Sequence, residues 1–219
     1  MRRLNMADAK AVAELSAQFG SFGRLLGAEL DGLTEDQLDW SSDRYEWAGW
    51  SIRNNVSHMA SLMIRWPLLR MGPVLFPDGK PVLDEQNLLM ESKYDRRLDD
   101  DVYWDAPVLQ DKLSQALAMT QDILARDSSE GVLDLEATVD FGGSFERHPE
   151  MYPGEVRKGD GDPPLWHVKV GAVMRHMYYE LVTHLFNVQR LKRAQGLQSS
   201  VSIPEVGYWM LPEWDRSEP

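Results

Sequence analysis

Four long segments of the chain carry apolar residues three or four positions apart, and this spacing constrains the fold more than any other feature of the sequence. Such spacing places apolar side chains along one face of an α-helix. The segments cover about residues 7–31, 51–67, 107–127 and 167–195. Ser51 is a suitable N-cap for the second segment, and Gly196 is a suitable C-cap for the last. Four helices that must each bury one face predict an all-α four-helix bundle.

Two long connections separate these helical segments. The first, residues 71–106, contains several prolines and the acidic run RRLDDD, and it is predicted to be mostly irregular. The second, residues 129–166, begins with VLDLEATVDF, whose alternation favours a short strand within a β-hairpin. A chain of 219 residues has the length of one domain. We therefore expect a single domain over residues 1–219, with both connections as insertions.

Composition excludes several classes of function. A net charge of −12 argues against nucleic acid or an anionic membrane surface as the main partner. The chain lacks cysteine, so a metal site must use nitrogen and oxygen ligands. No run of apolar residues is long enough to span a bilayer, and none follows the basic N-terminus as a secretory signal requires. A cytoplasmic location is the expectation.

The last helical segment places His176, Glu180 and His184 at four-residue intervals. On a helix that turns 100° per residue, His184 lies within the apolar face, Glu180 lies at its border, and His176 lies toward the polar side. Glu180 and His184 are one turn apart, which is a spacing that allows two side chains to chelate one metal ion. A plain polar pair on the helix surface is the alternative.

His58 is the best candidate for a third ligand, because it lies at the edge of the apolar stripe of the second helical segment. Two histidines and one carboxylate suit zinc or ferrous iron and leave coordination positions open for water or substrate. The alternative for His58 is a core histidine with one hydrogen bond. His148 and His167 lie in or beside loops and are predicted to be surface residues.

The stretches WSIRNNVSHMASL and MRHMYYELVTHLFNVQRLKRAQGL resemble the DinB/YfiT-like metalloprotein superfamily, which includes the N-terminal domain of mycothiol-dependent maleylpyruvate isomerase. The resemblance covers roughly residues 10–70 and 107–196. It implies a bundle in up-down-down-up order, with a divalent metal between the helices. The family's motif positions correspond to His58, Glu180 and His184. Zinc is the expected ion, with iron, nickel or manganese as alternatives.

Three other residues, His176, Arg175 and Tyr179, are candidates for contacting a ligand or the substrate. His176 is expected on the rim of the site or hydrogen-bonded behind a ligand. Arg175 is a candidate for holding an anionic substrate, and Tyr179 lies beside Glu180 in the sequence. A purely structural role is the alternative for Arg175 and Tyr179.

The resemblance implies a metal-dependent enzyme that acts on a small molecule, as a thiol-dependent S-transferase or isomerase with a low-molecular-weight thiol as partner. The substrate would enter between the end of the bundle and the two long connections. A second hypothesis is a non-catalytic, metal-binding or stress-related bundle that functions as a homodimer, with the aromatic tail at its interface. A third hypothesis has no metal.

Overall fold

The computed structural model of the protein describes residues 6–79, 89–94, 96–140, 148–162 and 165–219, and this part of the chain is mainly helical. Parts of both predicted insertions therefore lie outside the described residues. The helices are α1 (Met6–Leu30), α2 (Glu35–Asp39), α3 (Ile52–Arg65), α4 (Gly72–Leu75), α5 (Ala106–Ala125), α6 (Asp127–Glu130), α7 (His148–Met151) and α8 (Val170–Ala194).

Local sequence determines where the main helices begin and end. The Ser51 hydroxyl accepts a hydrogen bond from the Asn54 amide, and the Asn54 side chain accepts one from the Ser51 amide, so the predicted N-cap of α3 is a full capping box. After α3 the chain continues through a single π-helical turn, Trp66–Arg70, at Pro67. Gly196 follows α8 with a φ of 75°, as its predicted role as C-cap requires.

The four long helices pack against one another in a ring, in which α1 and α3 each contact both α5 and α8. The apolar stripes predicted for α1 and α3 supply much of the buried core between them. Leu15, Phe19, Phe22, Leu26 and Leu30 are buried on α1, and Ile52, Val56, Met59 and Met63 are buried on α3. No helix in the described ranges combines the length and the apolarity needed to cross a bilayer.

A small antiparallel sheet lies beside the helices. Its strands are β1 (Glu136–Val139), β2 (Val156–Lys158) and β3 (Trp166–Lys169), in the order β1-β3-β2. The predicted strand corresponds to β1. The sheet has three strands, however, rather than the two of the predicted hairpin. The sequence also assigned His167 to Lys169 to the last helix, whereas these residues belong to β3.

The central strand leads directly into α8, because Lys169 ends β3 and Val170 begins the helix. Gly171 allows the 3₁₀ turn Val132–Asp134 to approach the first turn of α8. A β-carbon at Gly171 would lie 3.2 Å from the backbone oxygen of Leu133. The sheet and this turn therefore fix the position from which α8 starts.

A buried ion pair holds the other end of α8. The ammonium group of Lys192 lies 2.6 Å from the Glu29 carboxylate, and both side chains are buried. Glu29 also accepts hydrogen bonds from Gln189 and from the backbone amides of Ser200 and Val201. This single carboxylate therefore joins α1, α8 and the segment that follows α8.

We expect replacement of Glu29 by Gln to lower the free energy of unfolding by about 3 kcal/mol, because Lys192 then remains buried without a countercharge. Glu136→Gln is the matched control, since it removes one carboxylate from a solvent-exposed pair with Arg157 and should cost less than about 1 kcal/mol. Urea unfolding followed by far-UV circular dichroism measures both. Equal losses would show that Glu29 has no special structural role.

Glu29 should also make stability depend on pH. Burial acts to raise the pKa of Glu29, but the hydrogen bonds from Lys192, Gln189, Val201 and Ser200 outweigh it, and the pKa lies below its usual value. A lowered pKa gives stability that is present above about pH 4.3 and is lost as the pH falls further. Urea titrations between about pH 6 and pH 3 should therefore show a smaller loss of stability in Glu29→Gln than in the unmodified protein.

Candidate metal centre

The structure brings His58, Glu180 and His184 together, as the sequence predicts. His58 lies in the second turn of α3, and the other two lie one turn apart in the middle of α8. The Nε2 atom of His184 is 3.4 Å from Glu180 Oε2, and the Nε2 atom of His58 is 3.9 Å from the same oxygen. One ligand atom from each residue lies within 4.8 Å of the other two.

These separations fit a small divalent ion. Two ligand atoms that are each about 2.1 Å from a tetrahedral ion lie about 3.4 Å apart. The distance between His184 and Glu180 has this value, and that between His58 and Glu180 is 0.5 Å longer (3.9 Å against 3.4 Å). Imidazole and carboxylate ligands suit zinc and ferrous iron. The three side chains therefore have the spacing and the chemistry of a metal site.

A hydrogen bond to the side chain of Asn55 sets the tautomer of His184. The Nδ1 atom of His184 lies 2.7 Å from Asn55 Oδ1, and the amide nitrogen of Asn55 donates to the backbone oxygen of Ser51 at 2.8 Å. That second bond orients the amide so that its oxygen faces His184. Because this oxygen can only accept, Nδ1 carries the hydrogen. In the neutral ring, Nε2 then presents its lone pair to Glu180.

His58 is held in the same tautomer by a different part of the chain. Its Nδ1 atom lies 2.6 Å from the backbone oxygen of Arg96, which can only accept a hydrogen bond. Arg96 has a φ of 59°, in the left-handed region that non-glycine residues adopt infrequently. A further bond, from the Leu98 amide to the Ser57 hydroxyl at 3.1 Å, fastens this segment to α3.

The charges of the cluster favour a bound cation. Burial acts to raise the pKa of Glu180, but the contacts with His184 and His58 hold it well below its usual range, so the carboxylate is ionised at neutral pH. Burial, with the nearby His58 and Arg96, lowers the pKa of His184 despite the opposing effect of Glu180. In its neutral form His184 directs the Nε2 lone pair toward a carboxylate, and an ion between them removes the repulsion.

The cluster can be reached from solvent on the side of Glu180, whose side chain is 25% exposed. Trp50 packs beside both imidazoles. Its ring centroid is 5.2 Å from that of His58 and 6.0 Å from that of His184, and it is nearly parallel to the latter. Three protein ligands and an open side leave room for water or a small molecule at the ion.

His176 differs most from its predicted position. The sequence places it toward the polar side of α8, yet it is buried one turn before Glu180. The hydroxyl group of Tyr208 bonds to its Nδ1 atom, and the rings of Trp66 and His148 lie 4.5 Å and 5.5 Å away. Burial lowers the pKa of His176 to about 4, so its ring is neutral at pH 7. His148, predicted at the surface, is half-buried here.

The side chains of Arg175 and Tyr179 contact residues of the second long connection, which covers residues 129–166. Arg175 forms an ion pair with Glu155, and its guanidinium lies 5.7 Å from the ring centroid of Tyr152. The ring of Tyr179 stacks on that of Tyr152 at 6.5 Å. These contacts attach α8 to the segment around β2. His167 lies outside the metal cluster, half-buried on β3 and 3.2 Å from the hydroxyl of Thr138.

Sequence reasoning missed three residues that shape the site: Asn55, Trp50 and Arg96. Asn55 carried a detectable signal, because it precedes His58 by three positions and so shares a face of α3. Trp50 lies just before Ser51, outside the periodic segment, so the helical spacing gave no signal for it. Arg96 carried no signal, because its backbone oxygen makes the contact with His58 and any residue type has one.

Comparison of the chain with protein-family models, with curated proteins and with solved structures finds no match. The contacts within the site are therefore the basis for assigning its chemistry.

We expect Asn55→Ala to weaken zinc binding by about 10- to 100-fold, because His184 loses the acceptor that fixes its tautomer and ring orientation. Gln115→Ala is the control, since it removes a surface amide that bonds to Asp111 one turn away. Competition with a chromophoric chelator measures the affinity of both variants. Unchanged affinity in Asn55→Ala would mean that this hydrogen bond does not prepare His184 for a metal.

Proposed function

We propose that the protein is a divalent-metal-dependent enzyme acting on a small molecule, with His58, Glu180 and His184 as the protein ligands of the metal. One observation carries the proposal: both imidazoles have Nδ1 bound to an acceptor, and the Nε2 atoms of both face the Glu180 carboxylate. A histidine that served only the core would not need this arrangement.

The arrangement of helices supports assignment to the DinB/YfiT-like superfamily, with a four-helix bundle in up-down-down-up order. The four long helices form a ring, and the candidate ligands come from the second and the last of them. The resembling stretches in the sequence supply His58 on α3 and the pair Glu180 and His184 on α8. Zinc is the proposed ion, and iron, nickel or manganese would fit the same ligands.

The proposed reaction is the transfer of a low-molecular-weight thiol to an electrophile, or an isomerisation assisted by that thiol. A divalent ion bound here would lower the pKa of a water or thiol at its open position and so supply a nucleophile near neutral pH. Glu180 and the two histidines hold that ion, and Asn55 and the backbone of Arg96 orient the rings. Trp50 packs beside both rings.

Metal content provides the first test. Protein purified without a histidine tag should contain about one equivalent of metal by elemental analysis, and His58→Ala should lose most of it because one ligand of three is gone. His167→Ala is the matched control, since it removes a histidine on β3 that lies outside the cluster. Background metal in all three proteins would contradict the proposal and leave Glu180 and His184 as a polar pair.

Turnover separates the enzyme from a metal-binding protein without activity. We expect a panel of small thiols and electrophiles to contain at least one pair that the protein converts, with activity abolished by a chelator and restored by zinc. Product formation followed by mass spectrometry measures this. A protein that holds one equivalent of metal and converts no pair would favour the non-catalytic alternative, in which the metal joins α3 to α8 in a homodimeric or stress-related protein.

A further inference from the structure

Residues 96–104 belong to the first long connection and are attached to α3 at three points. We refer to these residues as the strap. At one end, the backbone oxygen of Arg96 lies 2.6 Å from Nδ1 of His58. Two residues later, the Leu98 amide donates a hydrogen bond to the Ser57 hydroxyl at 3.1 Å, and the Leu98 side chain is buried. The strap therefore contacts one candidate metal ligand directly and is fastened to the residue before it.

The other end of the strap is attached through residues that are not candidate ligands. The Arg53 guanidinium donates to the backbone oxygen of Trp104 at 2.7 Å and lies 4.8 Å from the centroid of the Trp104 ring. The side chain of Tyr103 is buried beside it in the sequence. These contacts hold this end against α3, so a change at the metal centre acts on the opposite end of the strap, at Arg96.

The backbone conformation of Arg96 is unfavourable in itself. Within the part of the chain that the structure describes, Arg96 is the only residue other than glycine with a positive φ, which is 59°. A residue with a β-carbon pays a free-energy cost in this left-handed region. The hydrogen bonds of Arg96 and Leu98 to α3 require the conformation and offset its cost. The position of this end of the strap therefore depends on a balance between backbone strain and these hydrogen bonds.

A cation at Nε2 of His58 would change this balance. Positive charge at one nitrogen of an imidazole withdraws electron density from the ring, so the hydrogen on the other nitrogen becomes a stronger donor. In His58 that other nitrogen is Nδ1, which bonds to the Arg96 oxygen. A stronger bond there stabilises the left-handed turn. Because binding equilibria are linked, anything that stabilises the turn must increase the affinity for the ion by the same factor.

We propose that the strap is a metal-dependent conformational element, in which an ion held by His58, Glu180 and His184 fixes the left-handed turn at Arg96. The backbone conformation of Arg96 in turn sets the affinity for the ion. The inference rests on the proposed metal site, and it predicts that the first long connection responds to whether that site is occupied. The side chain of Arg96 has no part in it.

The first test compares Arg96→Asn with Arg96→Val in the full chain. Both variants lose the same side-chain charge, and both keep the backbone oxygen that contacts His58. Asparagine enters the left-handed region more readily than most residues, whereas a β-branched residue such as valine is strongly disfavoured there. We expect Arg96→Asn to bind zinc about tenfold more tightly than Arg96→Val, which corresponds to the usual cost of this conformation. Competition with a chromophoric chelator measures both affinities.

Arg97→Asn and Arg97→Val are the matched controls. Arg97 is the next residue in the chain, its φ is not positive, and both substitutions remove the same ion pair with Asp100. These two variants should therefore bind zinc with equal affinity. Arg96→Gly adds a third point to the series, because glycine adopts a positive φ without strain, and it should bind zinc at least as tightly as Arg96→Asn.

Hydrogen exchange of the unmodified chain gives a second readout that needs no substitution. Saturating zinc should slow exchange at the Leu98 amide by about tenfold, because the strap then leaves α3 less often. The amides of β1 serve as the internal control and should exchange at the same rate with and without zinc. Mass spectrometry with fragmentation to single residues measures both.

Equal zinc affinity of Arg96→Asn and Arg96→Val would overturn the inference, as would a difference of the same size between the two Arg97 variants. Exchange at Leu98 that zinc does not slow would also overturn it. Zinc binding that is lost in His58→Ala would in those cases leave the proposed metal site intact. Failure of the unmodified protein to bind zinc would overturn the metal site and this inference together, so the zinc stoichiometry distinguishes the two failures.

Discussion

The candidate metal centre depends on two hydrogen bonds, one at Nδ1 of His58 and one at Nδ1 of His184. Asn55 and the backbone oxygen of Arg96 each bind Nδ1 of a histidine, and so they turn the Nε2 atoms of His184 and His58 toward Glu180. One acceptor lies on α3 itself, and the other lies in the connection between the second and third long helices. The site is therefore complete only when that connection is folded onto α3, where the Leu98 amide also binds Ser57.

The sequence predicts the long helices and the three candidate ligands because that information is local. Periodic apolar residues define a helix face, and Glu180 and His184 need only one turn between them. The sheet was underestimated because its strands have three or four residues each, and β3 carries apolar residues that continue into α8. The burial of His176 depends on Tyr208, 32 residues further along the chain, and no spacing within α8 could indicate that contact.

The segment that follows α8 packs against this helix, which carries the candidate ligands Glu180 and His184. The Thr183 hydroxyl accepts hydrogen bonds from the backbone amides of Tyr208 and Trp209, and the Trp209 ring stacks on Phe186. Further along, the guanidinium of Arg190 donates to the backbone oxygen of Asp215. With the metal centre on one side and the tail on another, α8 has little freedom to rotate. Such support fixes the positions of Glu180 and His184, the two candidate ligands on α8.

The direct junction between β3 and α8 has a consequence for how chain length can vary in this protein. One residue added after Lys169 would turn everything beyond it by about 100° and advance it by about 1.5 Å, because the strand is paired on both sides and cannot slide to compensate. Glu180 would then face away from α3. The sheet thus sets the rotational phase of a site whose three residues lie on α3 and α8.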